Sequence, residues 1–376
     1  MRRPMVYALA ESARAHGSAV VAVNRPICLQ TTAIRRPKQI PDMLTPPRLE
    51  RMSENLFLYR PKYYVHDQIA NLVPMFEKAN LLALRRSFAH LQKRLDISEP
   101  APMVWFHYPH QGYVTRIFDG SFNVFEIYDN LTDIEGKEFD YVNRLEVKRR
   151  HRIDLLLTTS QKIQEKYAGH YRRSYMFGNG LAREAFETLS DPNIEPHADI
   201  SRIPSPRLGY AGMISERLDW NLIKDLATRE PKWNFVFVGR ASDDKFRRRI
   251  AHLRNVHFPG EFPHKEIPSI LKSFDLGIMP YRDTPFFEFL NPLKFYEMAA
   301  AGLPMVASPI AELKSFPEPL VEVVGDNKAN AWQEAARKML GSDPAVARKI
   351  GPKVAADYVW EDMTTKLLEN IAAGRV

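Results

Sequence analysis

The chain has 376 residues, 45% of them hydrophobic and 11% aromatic, with a single cysteine and a formal net charge of +8. That length exceeds one ordinary hydrophobic core and favours two domains, while the lone Cys28 rules out an internal disulfide and any cysteine-based metal site. No apolar run approaches the roughly 20 residues of a membrane span and no signal-peptide pattern opens the chain, so the expected setting is cytoplasmic.

The charge is uneven along the chain. Residues 1–100 hold 16 Lys/Arg against 8 Asp/Glu, whereas residues 101–376 hold 37 against 37. A basic first hundred suggests an anionic partner, such as an anionic glycolipid or the inner face of a membrane bound weakly and peripherally. Nucleic acid is not expected: there is no helix-turn-helix, RNP or zinc-finger pattern, and the basic residues do not alternate with aromatic ones.

Arg2 to His16 reads as a helix stopped at Gly17, and Ala19–Val23 as a strand, so the sequence opens on a helix. Residues 31–53 carry prolines and arginines without periodicity and read as a loop, and Leu56–Tyr59 as a short strand. From Asn80 to Asp96, Leu81, Leu84, Phe88, Leu91 and Leu95 keep a helical apolar stripe, with Arg85, Arg86, Lys93 and Arg94 largely off it. Two readings are open for this helix: it rests on an anionic bilayer, or it packs on its own sheet with a solvated basic face.

Met103–Tyr108 is an apolar strand ending at Pro109, His110 and Gln111, and Phe122–Tyr128 is another ending at Asp129 and Asn130. Ligands of open α/β sheets bind at the carboxyl ends of strands, where these polar residues fall. A strand-end aspartate also caps helices and turns, and a histidine after a proline also serves as a turn residue. Ile153–Thr158 and Tyr175–Gly180 supply two further strands. Residues 187–206 hold Pro192, Pro196, Pro204 and Pro206 with little apolar content, which marks a linker between a domain of residues 1–186 and one of 207–345. Residues 346–376 read as terminal helices.

The second domain opens on Arg207–Gly212, a strand whose Gly212 permits close backbone approach to a ligand. Asn234–Gly239 is a buried strand with Gly239 where a nucleotide edge would approach, and Asn255–Gly260 leads into Glu261-Phe262. Asp275–Pro280 is the next strand. After a loop, Asn291 is placed as a helix N-cap with Pro292 and Leu293 in the first turn, and the helix runs to Ala301 before Gly302 and Pro304 stop it. Its N-terminus favours phosphate, with Lys294 at the mouth and Glu297 one turn deeper on the same face. That pairing suits a nucleoside diphosphate with the acid on the ribose, or else it is a surface ion pair.

The run Pro292–Val306, "PLKFYEMAAAGLPMV", resembles the donor-site helix of GT-B glycosyltransferases of the bacterial family-4-like group, whose pattern is P-x-K-x-Y-E-x-x-A-x-G-x-P-x-V. Residues 207–220, with Gly209-Tyr210-Ala211-Gly212 followed by Asp219-Trp220, resemble the family's segment that begins G-Y-x-G and ends D-W. The resemblance implies two doubly wound Rossmann-like α/β domains facing a cleft, with residues 346–376 crossing back to the first domain. It also implies a strand ahead of the opening helix, so the first domain is expected to lack its usual first strand and the sequence to begin downstream of the family's usual start.

In function the resemblance implies a glycosyltransferase that moves a sugar from a nucleoside diphosphate sugar to a hydroxyl of a saccharide or lipid-linked acceptor, in cell-surface polysaccharide or glycoconjugate synthesis. No metal and no cofactor beyond the sugar nucleotide are expected. Arg217 becomes a second phosphate candidate, unless it pairs with Glu216 or Asp219, and Phe262 is expected against the nucleobase. Val124–Asn130 resembles the family's V-Y-D-x-x-D-D run, which makes Asp129 and His110 candidates to position or deprotonate the acceptor hydroxyl. One departure is Phe289, where many relatives have a sugar-contacting glutamate; Glu288 is one residue off. A sugar-nucleotide epimerase and a non-catalytic binding partner on the same fold are the alternatives.

Overall fold

The computed structural model describes residues 3–24, 27–35, 40, 47–63, 65–96, 102–243, 248–250 and 252–376. The chain opens on α1 (Arg3–Arg14), then β1 (Val20–Val23), β2 (Ile27–Cys28), α2 (Leu29–Arg35), β3 (Arg48–Arg51), β4 (Leu56–Arg60), β5 (Lys62–Tyr63), α3 (Asp67–Ala70) and α4 (Pro74–Leu95). β1 and β4 pair in parallel, and β3 pairs antiparallel on the other side of β4. The loop expected over residues 31–53 therefore contains part of a helix and an edge strand, and its residues 36–39 and 41–46 lie outside the described residues. β3 escaped notice because Arg48-Leu49-Glu50-Arg51 has one apolar side chain and is mostly exposed. The apolar stripe of α4 packs on this sheet: Leu84 and Leu91 are buried, and Tyr59 donates its hydroxyl hydrogen to the Ser87 carbonyl at 2.8 Å.

The rest of the first domain is a parallel sheet in the order β6-β7-β8-β9: β6 (Met103–Phe106), β7 (Phe122–Ile127), β8 (Leu155–Thr158) and β9 (Ser174–Met176). Among the described residues no strand joins β1 to β6, and each lies at the edge of its own sheet. A 3-10 helix over Pro109–Arg116 descends from β6, α5 (Asp140–Arg149) precedes β8, and α6 (Gln161–Tyr167) starts on Ser160, whose Oγ accepts from the Ile163 amide. β7 and β8 are buried on both faces because helices cover both.

The region expected as a linker is partly helical, with α7 (Arg183–Ser190) and α8 (Ala198–Ser201). Leu189 and Ile200 are buried in the core of the second domain. That domain has six parallel strands in the order β12-β11-β10-β13-β14-β15: β10 (Arg207–Ala211), β11 (Asn234–Val238), β12 (Val256–Gly260), β13 (Leu276–Met279), β14 (Met305–Ala307) and β15 (Val321–Val323). Its helices are α9 (Trp220–Arg229), α10 (Ile267–Lys272), α11 (Pro285–Glu288), α12 (Leu293–Ala300), α13 (Ala329–Gly341) and α14 (Pro344–Ala356). Finally α15 (Trp360–Ala372) crosses back and packs along α1, where Ser12 and Thr364 hydroxyls meet at 2.9 Å. The architecture is thus α/β with two Rossmann-like domains. Among the described residues no helix is long and apolar enough to cross a membrane.

Candidate active site

In the second sheet the strand order reverses between β10 and β13, so their carboxyl ends flank the crevice where open α/β sheets bind ligands. Helix α12 enters this crevice. Its far end is a Schellman stop: Gly302 adopts φ +67°, its amide donates to Ala299 and the Leu303 amide donates to Met298. Its near end differs from expectation. Pro292, not Asn291, occupies the N-cap position, and no side chain caps the helix. Asn291 is buried and reaches away, its Nδ2 donating to the Thr159 carbonyl of the first domain at 2.7 Å, while its own carbonyl accepts from Asn179 Nδ2 at 2.5 Å. A tertiary partner has taken the cap residue, which short-range pattern does not reveal.

Lys294 and Glu297 both lie partly buried on the crevice side of α12, where the lysine's charge acts on the carboxyl. The lysine ammonium lies 5.4 Å above the buried Tyr210 ring and against Gly212, where an added Cβ would be 2.2 Å from Nζ. Gly212 has φ +151°, a backbone conformation that favours glycine, and a side chain there would displace the end of Lys294. Gly239 follows from the same crowding: at φ +134°, its added Cβ would be 2.1 Å from the Gly212 carbonyl. Burial raises the Glu297 carboxyl above its ordinary range, opposed by Lys294 and His264. His264, in the loop after β12, is a neighbour the sequence reading missed.

Arg217 is exposed and pairs with neither Glu216 nor Asp219; its guanidinium lies 5.8 Å from the centre of the Phe286 ring. Asp219 instead caps α9 by accepting from the Leu222 amide at 3.0 Å. Phe262 is partly buried beside His197, edge to face at 4.9 Å, and Leu293 is exposed at the start of α12. The loop before α12 is pinned on both sides. Tyr281 stacks on Phe287 at 5.3 Å, and its carbonyl accepts from Ser308 Oγ and Asn327 Nδ2, each at 2.6 Å. Phe289 packs into a first-domain core cluster and its carbonyl accepts from Ser160 Oγ at 2.8 Å, while Glu288 is exposed. Position 289 therefore joins the domains.

Across the cleft, Asp129 follows β7 and is half-buried, next to Tyr128, whose carbonyl accepts from Thr159 Oγ1 at 2.8 Å. The His110 ring stacks on Tyr108 at 5.2 Å, and its carbonyl is held by Asn71 Nδ2 at 3.1 Å and Arg149 Nη1 at 3.3 Å. Arg149 and Arg116 both pair with Glu77, and burial pulls the Arg149 guanidinium below its usual range. Glu126 is fully buried, accepting from Trp105 Nε1 at 2.8 Å with His107 Nδ1 at 3.1 Å, so it points into the domain and not at an acceptor. Asn130 is also buried and accepts from Lys166. A polar hollow of about 480 Å³ lined by Arg85, Arg116, Asp119, His151, Arg152 and Asp154 lies at the amino ends of β7 and β8, away from this chemistry. Among the described residues no group of three or more His, Cys, Asp or Glu is arranged to hold a metal ion.

Residues 205–342 match the family model described as Glycosyl transferases group 1. A 140-residue stretch is 34% identical to TuaH of Bacillus subtilis (strain 168), named as a teichuronic acid biosynthesis glycosyltransferase; it covers 36% of this chain and 35% of that relative. The chain therefore matches about a third of that relative's length. Among solved structures, sucrose-phosphate synthase from Thermosynechococcus elongatus superposes with TM-score 0.69 at 17% identity over 97% of this chain and 91% of that one. Anabaena HepE in complex with UDP superposes with TM-score 0.61 at 15% identity, over 83% and 85%. At such identities these likenesses establish the fold. The second domain thus carries a glycosyl transferases group 1 domain, and the chain as a whole has the two-domain fold of the GT-B glycosyltransferases.

Proposed function

We propose that the protein moves a glycosyl group from a nucleoside diphosphate sugar to a hydroxyl of a saccharide or glycolipid acceptor, in the synthesis of a cell-surface polysaccharide or glycoconjugate. The observation that carries this reading is the placement of Lys294, against Gly212 at the sheet's switch point, with Glu297 one turn deeper on the same helix. Lys294, the amino end of α12 and Arg217 would stabilise the leaving diphosphate, where negative charge develops as the glycosidic bond breaks. Glu297 would accept hydrogen bonds from ribose hydroxyls. HepE was solved with UDP, which supports a nucleoside diphosphate sugar as donor, and TuaH is named for teichuronic acid biosynthesis, which supports the cell-surface role.

On the acceptor side, Asp129 and His110 stand at the carboxyl ends of β7 and β6, across the cleft from α12. Asp129 is the group assigned to orient or deprotonate the attacking hydroxyl. The basic excess of the first hundred residues supports weak association with an anionic membrane surface. Incubation with a panel of nucleoside diphosphate sugars and saccharide or lipid-linked acceptors, followed by product analysis, tests the assignment. Transfer is expected with one donor; donor binding without release of a nucleoside diphosphate would leave a binding protein, and an altered sugar still on its nucleotide would indicate an epimerase.

A further inference from the structure

The four most exposed large apolar side chains among the described residues are Ile34 (74%), Leu72 (67%), Met75 (67%) and Met213 (62%), and three of them belong to one region of the first domain. Leu72 and Met75 sit where α3 turns into α4, beside exposed Ile69 and Val73. Ile34 is one turn beyond Gln30 of α2, whose side-chain oxygen accepts from the His66 amide at 3.3 Å just before α3. The patch continues along α4. Met75, Leu82, Arg86 and Lys93 are spaced 7, 11 and 18 residues from the first, which at 100° per residue keeps them within about 20° of one line along the helix. All four are exposed.

This stripe is distinct from the apolar stripe read in the sequence. Leu84 and Leu91 face the domain's own sheet and are buried. Every exposed position of α4 is apolar or carries Lys, Arg or His: Lys78, Arg85, Arg86, His90, Lys93 and Arg94 supply the polar ones. The helix's one acid, Glu77, is turned inward onto Arg116 and Arg149. A solvent-facing helix ordinarily intersperses both signs of charge and does not line up exposed Leu and Met with cations alone. Apolar side chains flanked by cations, with the acid inside the helix turned away, are what an anionic lipid interface selects; the exposed Asp96 caps the far end of α4, beyond the apolar part of the stripe.

We propose that the α3–α4 face docks the protein on an anionic lipid bilayer, with Leu72, Met75 and Leu82 seated among the headgroups and Arg86 and Lys93 on their charges. The apolar end of the stripe adjoins the acceptor edge of the cleft, because Asn71 donates from Nδ2 to the His110 carbonyl at 3.1 Å. Docking in this pose sets the His110 side of the cleft at the membrane surface, where the hydroxyl of a lipid-linked saccharide would be presented. That last clause rests on the proposed transfer reaction; the docking itself does not.

The test is flotation of the purified protein with vesicles of phosphatidylcholine alone and of phosphatidylcholine with phosphatidylglycerol. The wild type should bind the anionic vesicles and be released by salt. Arg86→Gln with Lys93→Gln should weaken binding by roughly 25-fold, at about fivefold for each cation lost at the surface. The triple variant Leu72→Ser, Met75→Ser, Leu82→Ser should lose more than tenfold even at low salt, since apolar insertion is not screened. All these residues are exposed, so melting temperatures should match the wild type, and a melt establishes that the variants fold. Equal binding by wild type and triple variant, or equal binding to neutral and anionic vesicles, overturns the proposal. So does a wild type that ignores vesicles but self-associates through this face, seen as a change in gel-filtration mass in the triple variant. Vesicle binding needs neither donor nor acceptor: docking without sugar transfer sinks the transferase reading alone, and transfer to a soluble acceptor without docking sinks this one alone.

Discussion

In the second domain one six-stranded sheet places Gly212, Gly239 and Phe262 on loops after its strands, with Lys294 and Glu297 on the helix that follows the same edge. The first domain spreads its described strands over separate sheets and fixes its side of the cleft with a partly buried polar network: Glu77, Arg116, Arg149, Asn71 and the carbonyls of Pro109 and His110. Where topology sets a site, close backbone packing suffices to hold it. Where long-range ion pairs and amide contacts set it, each partner comes from a different part of the chain, and the site is only as firm as those contacts.

The sharpest way to separate the two sides is Asp129→Asn. Transfer should fall by about 10²–10⁴ with donor affinity unchanged, as for loss of a general base. Paired measurements of kcat and of nucleotide binding by calorimetry decide it; a variant that transfers at the wild-type rate makes Asp129 a structural residue and turns attention to His110. Next in size is Arg149→Met, which removes the clamp on Pro109 and His110 and breaks a buried pair. A loss of about 3–5 kcal/mol is expected in chemical denaturation. Hydrogen exchange should show the loosening confined to the first domain; equal loosening in β10–β15 would end the contrast drawn above.

On the donor side, Lys294→Ala should weaken nucleoside diphosphates and sugar nucleotides alike by roughly 1.5–3 kcal/mol, the range for a charge-assisted hydrogen bond. Gly212→Ala should reproduce most of that loss with the lysine still present, because its Cβ would occupy the space of the ammonium. If the glycine variant binds normally, the contact between them does not position the lysine.

Glu297→Gln should cost less and show itself in selectivity: ribonucleotides should weaken more than 2′-deoxyribonucleotides in titration calorimetry. The pH dependence carries the sign. A carboxyl raised by burial contributes stability that is present below the ordinary glutamate range and lost as pH rises through the raised value. A ribose that hydrogen-bonds the carboxylate favours its ionised form, so affinity should increase with pH across that window and binding should release a proton there. The release should vanish in Glu297→Gln; its persistence would place the titrating group elsewhere. The smallest effect belongs to the partly exposed bridge between the domains, Arg282 to Glu135 at 2.8 Å. Arg282→Ala should shift stability by less than about 1 kcal/mol and leave donor affinity within a few-fold, with salt erasing the difference.

What could be read from the sequence follows the same division. The strands β6 to β13 and the helix α12 were legible because apolar runs, Gly302 and Pro304 are local signals. Lys294 and Glu297 were legible as a pair on one helix face, although Tyr210 beneath the lysine and His264 near the acid come from distant strand ends. Asn291 misled because its cap chemistry is spent on Thr159, and the role of Phe289 was not legible because an aromatic residue in a loop gives no sign that its partner is the other domain. Residues 48–51 were missed for want of alternation, and the Leu189 and Ile200 contacts blurred the linker because a proline-rich stretch still buries the few apolar side chains it has.

The two-way anchoring of Asn291 carries a consequence for domain exchange. The peptide that begins the donor helix is also where Asn179 and Thr159 of the opposite domain take hold. A chimera that grafts a new acceptor half onto this donor half would cut through that joint. Residues 159–160, 178–181 and 289–291 form a matched set that has to travel together; recombination points inside it would yield proteins that fold in each half yet hold the donor helix at the wrong angle, whereas crossovers after Phe186 leave the joint's first-domain half intact but require 289–291 to be inherited with it.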